Sequence, residues 1–435
     1  MKRISVVGLG YIGLPTSILA AQAGYDVYGF DVDKEKIKKI NAGHPTILEP
    51  EITERLWKTL KSENFKAYSD LQYADCFVIT VPTPFKENKT ADLSYVFLAG
   101  ESIAKRLRPG NLIILESTVP VGTTEKFSHH LEELSGLKMG IDFFVAHCPE
   151  RVLPSRMFKE LVENDRVIGG ICQRSCELAS QFYSKFVKGF LHITDDKTAE
   201  MVKLVENSSR DVQIAFANQI AEMCYSAGLD PFQVIELANR HPRVKILNPS
   251  CGVGGHCIAV DPWFLIESFP EHSLLLKTAR TINDAKPLHV LNKVLDKVDE
   301  LKIQGIDKPR VLGLGITFKP DVDDIRESPA LKIAQELKDY DNQFDFKIYD
   351  HNVSKDVLAT ACIPAVPDLL KGIAWADIIV IMVKHKEFSL IREEAFDGKV
   401  IVDTCGLFYD MHLKQSKAFL EGATKTFYEA GNQVF

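Results

Sequence analysis

The sequence predicts an α/β protein: two Rossmann-like doubly wound parallel-sheet domains joined by a central helical domain with a long connecting helix. Three observations lead there. A strand-length apolar run breaking into a glycine turn opens the chain and recurs in its final third. In both places a second strand follows and ends in an aspartate. Between them, Thr198 to Ala227 contains neither proline nor glycine and carries apolar residues at helical spacing. The 435 residues accommodate three domains, expected at 1–195, 196–300 and 301–435.

The first element is Ile4-Ser5-Val6-Val7, a buried strand that breaks into Gly8-Leu9-Gly10-Tyr11-Ile12-Gly13. Met1-Lys2-Arg3 before an apolar stretch imitates a secretory signal, but three glycines and Pro15 interrupt the run. A helix is expected from about Leu14 to Ala23, then the strand Val27–Asp31. Gly8 serves a tight turn, Gly10 close approach of backbone to a pyrophosphate, and Gly13 helix-on-strand packing. The pyrophosphate sits on the helix N-terminus. A bare GxGxxG is weak evidence; this one follows a strand, opens a helix and has an acid about 20 residues on. Asp31 would bond the ribose hydroxyls and repel a 2′-phosphate, which favours NAD over NADP. Runs from Cys76 to Val81 and Leu112 to Glu116 continue the sheet, and Thr83 and Thr118 lie just past their C-terminal ends, where such sheets bind ligands.

Within the connecting helix Val202, Val205, Val212, Phe216, Ile220 and Met223 recur at helical spacing. Helices in that position commonly pack against a second copy, so a homodimer through the central helix is expected. Lys203, Asn207 and Arg210 fall on one face of it. Beyond it comes Gly252-Val253-Gly254-Gly255-His256-Cys257, followed by Asp261-Pro262. A dehydrogenase that moves one hydride needs no thiol. A cysteine in a glycine-rich loop of a dinucleotide-binding chain points instead to a covalent step, in which an aldehyde is captured as a thiohemiacetal and oxidised again. The competing reading is a merely buried thiol, the usual fate of a cysteine.

The last third repeats the opening grammar. Val311-Leu312-Gly313-Leu314-Gly315-Ile316-Thr317-Phe318 echoes the first turn, Ile348-Tyr349-Asp350 the second strand, and Ala376 to Val383 the run ending at Val81. Phe318 stands where the third glycine belongs, so this half is expected to hold a different nucleotide, such as one carried by the substrate.

Bulk composition narrows the partners. With 46% apolar and 26% charged residues and a net charge of −7, the chain has no blanket attraction for nucleic acid or an anionic membrane. Nine scattered cysteines without paired zinc spacing predict reduced thiols, no metal and a cytoplasmic location.

The ordered motifs resemble the UDP-glucose/GDP-mannose dehydrogenase family along nearly the whole chain. They are Gly8 to Pro15, Val81-Pro82-Thr83-Pro84, Glu116 to Gly122, Cys148-Pro149-Glu150-Arg151, Ala199 to Asn207, the Gly-Gly-x-Cys loop, Phe318-Lys319-Pro320-Asp321 and Asp324 to Pro329. Further stretches point within the family to enzymes of UDP-N-acetylhexosamines, UDP-N-acetyl-D-mannosamine foremost: Thr83 to Lys86, Glu150 to Pro154, Asn164 to Gly170, Arg240 to Val244 and Gly255 to Phe264. UDP-N-acetylglucosamine, UDP-N-acetylgalactosamine and UDP-glucose are the alternatives, and an inactive sugar-nucleotide sensor is the alternative outside enzymes. The resemblance implies NAD as cofactor, a UDP-sugar as substrate, and a four-electron oxidation at C6 through a thiohemiacetal and a thioester. It implies Cys257 as nucleophile, its thiolate favoured by His256 and a nearby lysine. Lys203 would move the proton and stabilise the oxyanion with Asn207, Asp261 would organise water, and Glu150 would help activate it for hydrolysis. Arg151, Val152, Lys203, Asn207, Arg210, His241, Arg243, Gly254, Phe318 and Lys319 would hold the sugar nucleotide. Gly8, Gly10, Tyr11, Ile12, Gly13, Asp31, Thr83, Thr118 and Arg326 would contact NAD. Three departures from the resemblance stand out: Cys251 in place of a proline, Ser209 in place of a phenylalanine, and Cys405 in place of a basic residue that reaches the substrate.

Overall fold

The computed structural model describes residues 1–47, 49–153 and 156–412, so Pro154 and the last part of the expected C-terminal domain, 413–435, lie outside the described residues. The chain divides into two compact units. The first comprises Met1–Asn207 with Val260–Ser273, the second Ser208–Ala259 with the chain from Leu274 onward.

The first unit is built on eight strands: β1 (Arg3–Val7), β2 (Asp26–Phe30), β3 (Phe65–Tyr68), β4 (Cys76–Ile79), β5 (Leu112–Leu115), β6 (Phe144–His147), β7 (Arg166–Gly170) and β8 (Leu191–Asp195). They lie in the order β3-β2-β1-β4-β5-β6-β7-β8. Pairing is parallel from β3 through β6; β7 then runs antiparallel to β6, and β8 parallel to β7. Both faces of the sheet are buried. Ile4, Val6, Cys76, Val78, Leu112 and Ile114 enter one core, while Val7, Phe77, Ile79, Ile113 and Leu115 enter the other. Period-two alternation with apolar groups on both sides is why these strands read as unbroken apolar runs. The strand order reverses between β1 and β4, the crevice where open α/β sheets take ligands. Gly8 to Gly13 leaves β1 there and opens the helix Gly13–Gln22.

The second unit holds a parallel four-stranded sheet, β10-β9-β11-β12, made of β9 (Arg310–Leu314), β10 (Asp345–Tyr349), β11 (Ile378–Ile381) and β12 (Val400–Asp403). It is the shorter echo of the first sheet that the sequence predicts.

The connecting helix runs Asp196–Ser226 and the helix Leu274–Ile303 follows later in the chain. The apolar stripe that marks the connecting helix in the sequence is not its buried face. Val205, Phe216 and Met223 are about half exposed, at 48%, 51% and 56%. Its second half buries Asp211, Ala215, Asn218, Ala221 and Cys224 instead. The buried polar groups pair across to the helix Leu274–Ile303, leaving Asp211 Oδ2 and Arg280 Nε without a hydrogen-bond partner among the described residues. Arg280 donates to Asp211 Oδ1 (2.7 Å) and also binds Asp284. Asn283 donates to Asp211 Oδ1 (2.8 Å), and Asn218 donates to Asn283 Oδ1 (2.9 Å). Among the described residues, no helix is long and apolar enough to cross a membrane.

Candidate active site

The nucleotide turn of the first unit shows each glycine role separately. Gly8 takes φ +94°, and a Cβ there would sit 2.9 Å from the Thr80 carbonyl oxygen. A Cβ at Gly13 would overlap the Gly8 carbonyl at 1.8 Å and Thr80 Oγ1 at 2.4 Å, so the helix can approach the strand only without one. A Cβ at Gly10 would meet nothing within 4 Å, which is the open cradle a pyrophosphate needs. Tyr11 is half-buried beside it, and Ile12 is the N-cap residue of the helix. Buried Asp31 accepts from the amides of Leu9 (2.9 Å) and Asp33 (3.0 Å). It also accepts from Lys36 Nζ (2.9 Å). Lys36 is a site residue the sequence reading missed; its signal was a lysine in the first turn of the helix just after the acid. Thr83 and Thr118 are half-buried beyond β4 and β5, and Ser117 Oγ donates to the Val81 carbonyl (2.7 Å), tying the two strand ends together. These residues fit a dinucleotide with free ribose hydroxyls.

The same unit gathers the proposed acid–base groups. A cavity of about 320 Å³ is lined by Arg151, Val152, Lys203, Glu206 and Asn207, with Asn164 and Asp165. Arg151 is held over it by Glu206 (2.5 and 3.0 Å). Asn207 Nδ2 donates to Asp261 Oδ2 at 2.5 Å. Burial pushes the Asp261 carboxyl up to about 6, with Lys203 and Asn207 pulling the other way. Behind this group lies a buried ionic cluster: Arg166 reaches both Glu116 (3.1 Å) and Glu150 (2.8 Å), and Tyr183 Oη donates to Glu116 (2.6 Å). Sequence reading named Glu150 but not Arg166. Its signal was a cation opening the otherwise apolar strand Arg166–Gly170.

The thiol loop belongs to the second unit and is pressed against the segment from Phe318 to Pro329. A Cβ at Gly254 would strike the Glu327 carbonyl oxygen at 2.3 Å, and one at Gly255 the Phe318 ring at 2.8 Å. Ser250 begins the loop: its amide donates to Asn218 Oδ1 (2.9 Å) and its hydroxyl to the Gly252 carbonyl (2.8 Å). Cys257 is exposed, whereas Cys251 is buried and its thiol pushed up to about 12 by burial. His256 lies next to Cys257 and faces a carboxylate. Its Nε2 faces Asp324 (3.6 Å), and burial with nearby Arg326 lowers its pKa. Arg326 forks onto Asp324 (2.7 and 2.9 Å), and Lys319 follows Phe318 in the same segment. Arg210 is exposed on the connecting helix; His241 and Arg243 are exposed in a turn, where the Arg243 amide donates to His241 Nδ1 (3.4 Å). Cys405 is half-buried past the end of β12, its thiol raised well above the ordinary range by burial.

The second glycine turn diverges as its sequence implies. Asp350, the counterpart of Asp31, accepts from the Ile316 amide (2.8 Å), yet its remaining valence goes to the fully buried His385 (3.2 Å) and the Asn352 amide (2.9 Å). The buried His385 thus stands where Lys36 meets Asp31 in the first turn.

Three family profiles cover the chain: the NAD binding domain of the UDP-glucose/GDP-mannose dehydrogenase family over 2–187, its central domain over 197–285, and its UDP binding domain over 312–410. The NDP-N-acetyl-D-galactosaminuronic acid dehydrogenase of Ralstonia nicotianae is 40% identical over 94% of this chain and 96% of its own length. The UDP-N-acetyl-D-mannosamine dehydrogenase of Campylobacter jejuni is 42% identical over 90% and 98%. Among solved structures, the UDP-D-ManNAc dehydrogenase of Pyrococcus horikoshii matches with a TM-score of 0.85 at 41% identity, covering 93% of this chain and 96% of that one. With a dinucleotide cradle, a grouped set of acid–base side chains and an exposed thiol on a glycine loop, this chain belongs to the UDP-glucose/GDP-mannose dehydrogenase family and is an NAD-dependent sugar-nucleotide oxidoreductase.

Proposed function

We propose that the chain oxidises the C6 hydroxymethyl of a UDP-N-acetylhexosamine to the carboxylate, with UDP-N-acetyl-D-mannosamine as substrate and the product destined for surface polysaccharide. The observation that carries this reading is the lysine–asparagine–aspartate group of Lys203, Asn207 and Asp261 in a chain that also presents the exposed thiol of Cys257. NAD, when bound, accepts a hydride in each of two oxidations. Lys203 takes the alcohol proton in the first and stabilises the oxyanion after Cys257 adds to the aldehyde carbon. Asn207 adds a hydrogen bond to that oxygen, and Asp261 fixes Asn207 and the water beside it. Glu150 serves hydrolysis of the thioester. Arg151, Val152, Arg210, His241, Arg243, Gly254, Phe318 and Lys319 hold the sugar nucleotide; arginine forks suit its diphosphate. Gly8, Gly10, Tyr11, Ile12, Gly13, Asp31, Thr83, Thr118 and Arg326, joined by Lys36, hold NAD.

In this reading 1–195 binds NAD, 196–300 supplies the thiol and the subunit interface, and 301–435 binds UDP. The half-exposed stripe of Val205, Phe216 and Met223 supports a homodimer through the connecting helix. Nine cysteines without a disulfide support a reducing cytoplasm. A galacto-configured substrate is the second reading, favoured by the Ralstonia relative.

Incubation with a panel of UDP-sugars distinguishes these. The manno substrate is expected to give two NADH and one carboxylate per sugar without free aldehyde. One NADH per sugar with aldehyde released would remove the thioester route, and a faster galacto substrate would move the assignment to that epimer.

A further inference from the structure

We propose that Arg166 is a positioning residue for the hydrolytic half of the reaction: its guanidinium holds the Glu150 carboxylate in place, aimed at the water that cleaves the thioester. The inference rests on the thioester route above and adds to it a residue that touches neither substrate nor cofactor.

Arg166 opens β7 with its side chain 5% exposed, and its guanidinium lies 4.3 Å above the Tyr183 ring. One arm meets Glu116 Oε1 at 3.1 Å, the other Glu150 Oε2 at 2.8 Å. The second Glu150 oxygen accepts from the Arg151 amide at 2.6 Å. Both oxygens of that carboxylate are therefore held, each with a lone pair left for a water. With its side chain only 10% exposed, Glu150 is buried against that guanidinium, and the pair fixes its orientation. The cluster offers one cation to two carboxylates, and the two are not equivalent. Burial pushes Glu116 up to about 7, with Arg166 opposing, and the Tyr183 hydroxyl anchors it. Glu116 is thus held by the Tyr183 hydroxyl as well as by Arg166, and Glu150 by Arg166 and the Arg151 amide. Arg151, next in the chain to Glu150, lines the cavity with Lys203 and Asn207. In hydrolysis the water oxygen bonds to the thioester carbon, the carbon–sulfur bond breaks, sulfur leaves Cys257-bound as thiolate, and Glu150 accepts the proton that the water sheds.

The test separates the two halves of turnover. With saturating NAD and UDP-N-acetyl-D-mannosamine, Arg166→Lys is expected to keep the rate of the initial NADH burst within about twofold, while steady-state turnover falls on the order of tenfold or more. Acid-quenched protein should then carry the acyl adduct on Cys257 by intact mass. A purely structural arginine predicts burst and steady state falling together, and that result, or a folded variant with both rates unchanged, overturns the assignment. Should Arg166→Lys not fold, Glu116→Gln/Arg166→Met takes the guanidinium from Glu150 without leaving Glu116 as an unpaired buried carboxylate, and carries the same test. If the parent enzyme itself yields one NADH per sugar and no adduct, the thioester route is what fails; if it yields two and the variant shows no split, the failure belongs to Arg166.

Discussion

Cys251 and Cys257 share one loop and stand in opposite surroundings: the first is buried with its thiol pushed up to about 12, the second is exposed. In the sequence it is the resemblance to the family, through the Gly-Gly-x-Cys motif, that singles out Cys257 from Cys251. The carboxylate that His256 faces, Asp324, lies far along the chain and only the fold brings the two together. Asp31 was legible from its distance to the glycine turn, whereas its ion pair with Lys36 depends on where the next helix begins. Asp261 yields a pH prediction. Its carboxyl stands at about 6 because it is buried, above the ordinary carboxylate range. An acid raised in the folded state stabilises the fold while protonated, and that contribution is lost as pH climbs through the folded value. Asp261→Asn cannot lose it. Relative to the parent, the variant is expected to gain melting temperature as pH rises from about 4 to above about 6 and then level off. A difference independent of pH over that range would show that Asp261 does not titrate there. Turnover should be lost at every pH.

At the scale of elements, strands were the most legible part, because β4 and β5 are buried on both faces and are continuously apolar, and β1 departs from that only at Arg3 and Ser5. The reversal of β7 was not legible, since side-chain pattern carries no information on strand direction. The connecting helix was located by its apolar stripe, but what it buries is a polar network whose members lie far apart in the chain, Asp211 and Asn218 meeting Arg280 and Asn283. Asn218 also accepts from the Ser250 amide at the root of the thiol loop. Asn218→Ala leaves that amide and the Asn283 carbonyl without partners. The expected cost is about 1–3 kcal/mol in urea unfolding, with a fall in turnover and NAD affinity preserved, because the nucleotide turn belongs to the other unit. Equal losses of NAD binding and turnover would show that the network supports the fold at large rather than the loop.

For the molecule as a whole, the two sheets and their connector were readable from repeated grammar, and the division into units was not: each unit takes two separate stretches of chain. Subunit association is expected to depend on the half-exposed stripe, where Phe216 offers the largest ring. Phe216→Glu places a charge in an apolar contact and should shift the sedimentation profile from dimer toward monomer at micromolar concentration; an unchanged profile would put the interface elsewhere. The split of the first unit reaches beyond catalysis. Val260–Ser273 brings it Asp261, fully buried Phe264, and Glu267, whose carboxylate accepts from the Ala91 amide at 2.8 Å. As the chain emerges from the ribosome, everything up to Asn207 appears long before that segment does, so the NAD-binding half is born unfinished and waits through the synthesis of the thiol loop for its last piece. Nascent chains stalled after Asn207 should remain open to protease, and gene fragments ending there should not make a module that can be moved to another enzyme. Order of synthesis thus ties completion of the cofactor-binding half to the prior arrival of Cys257.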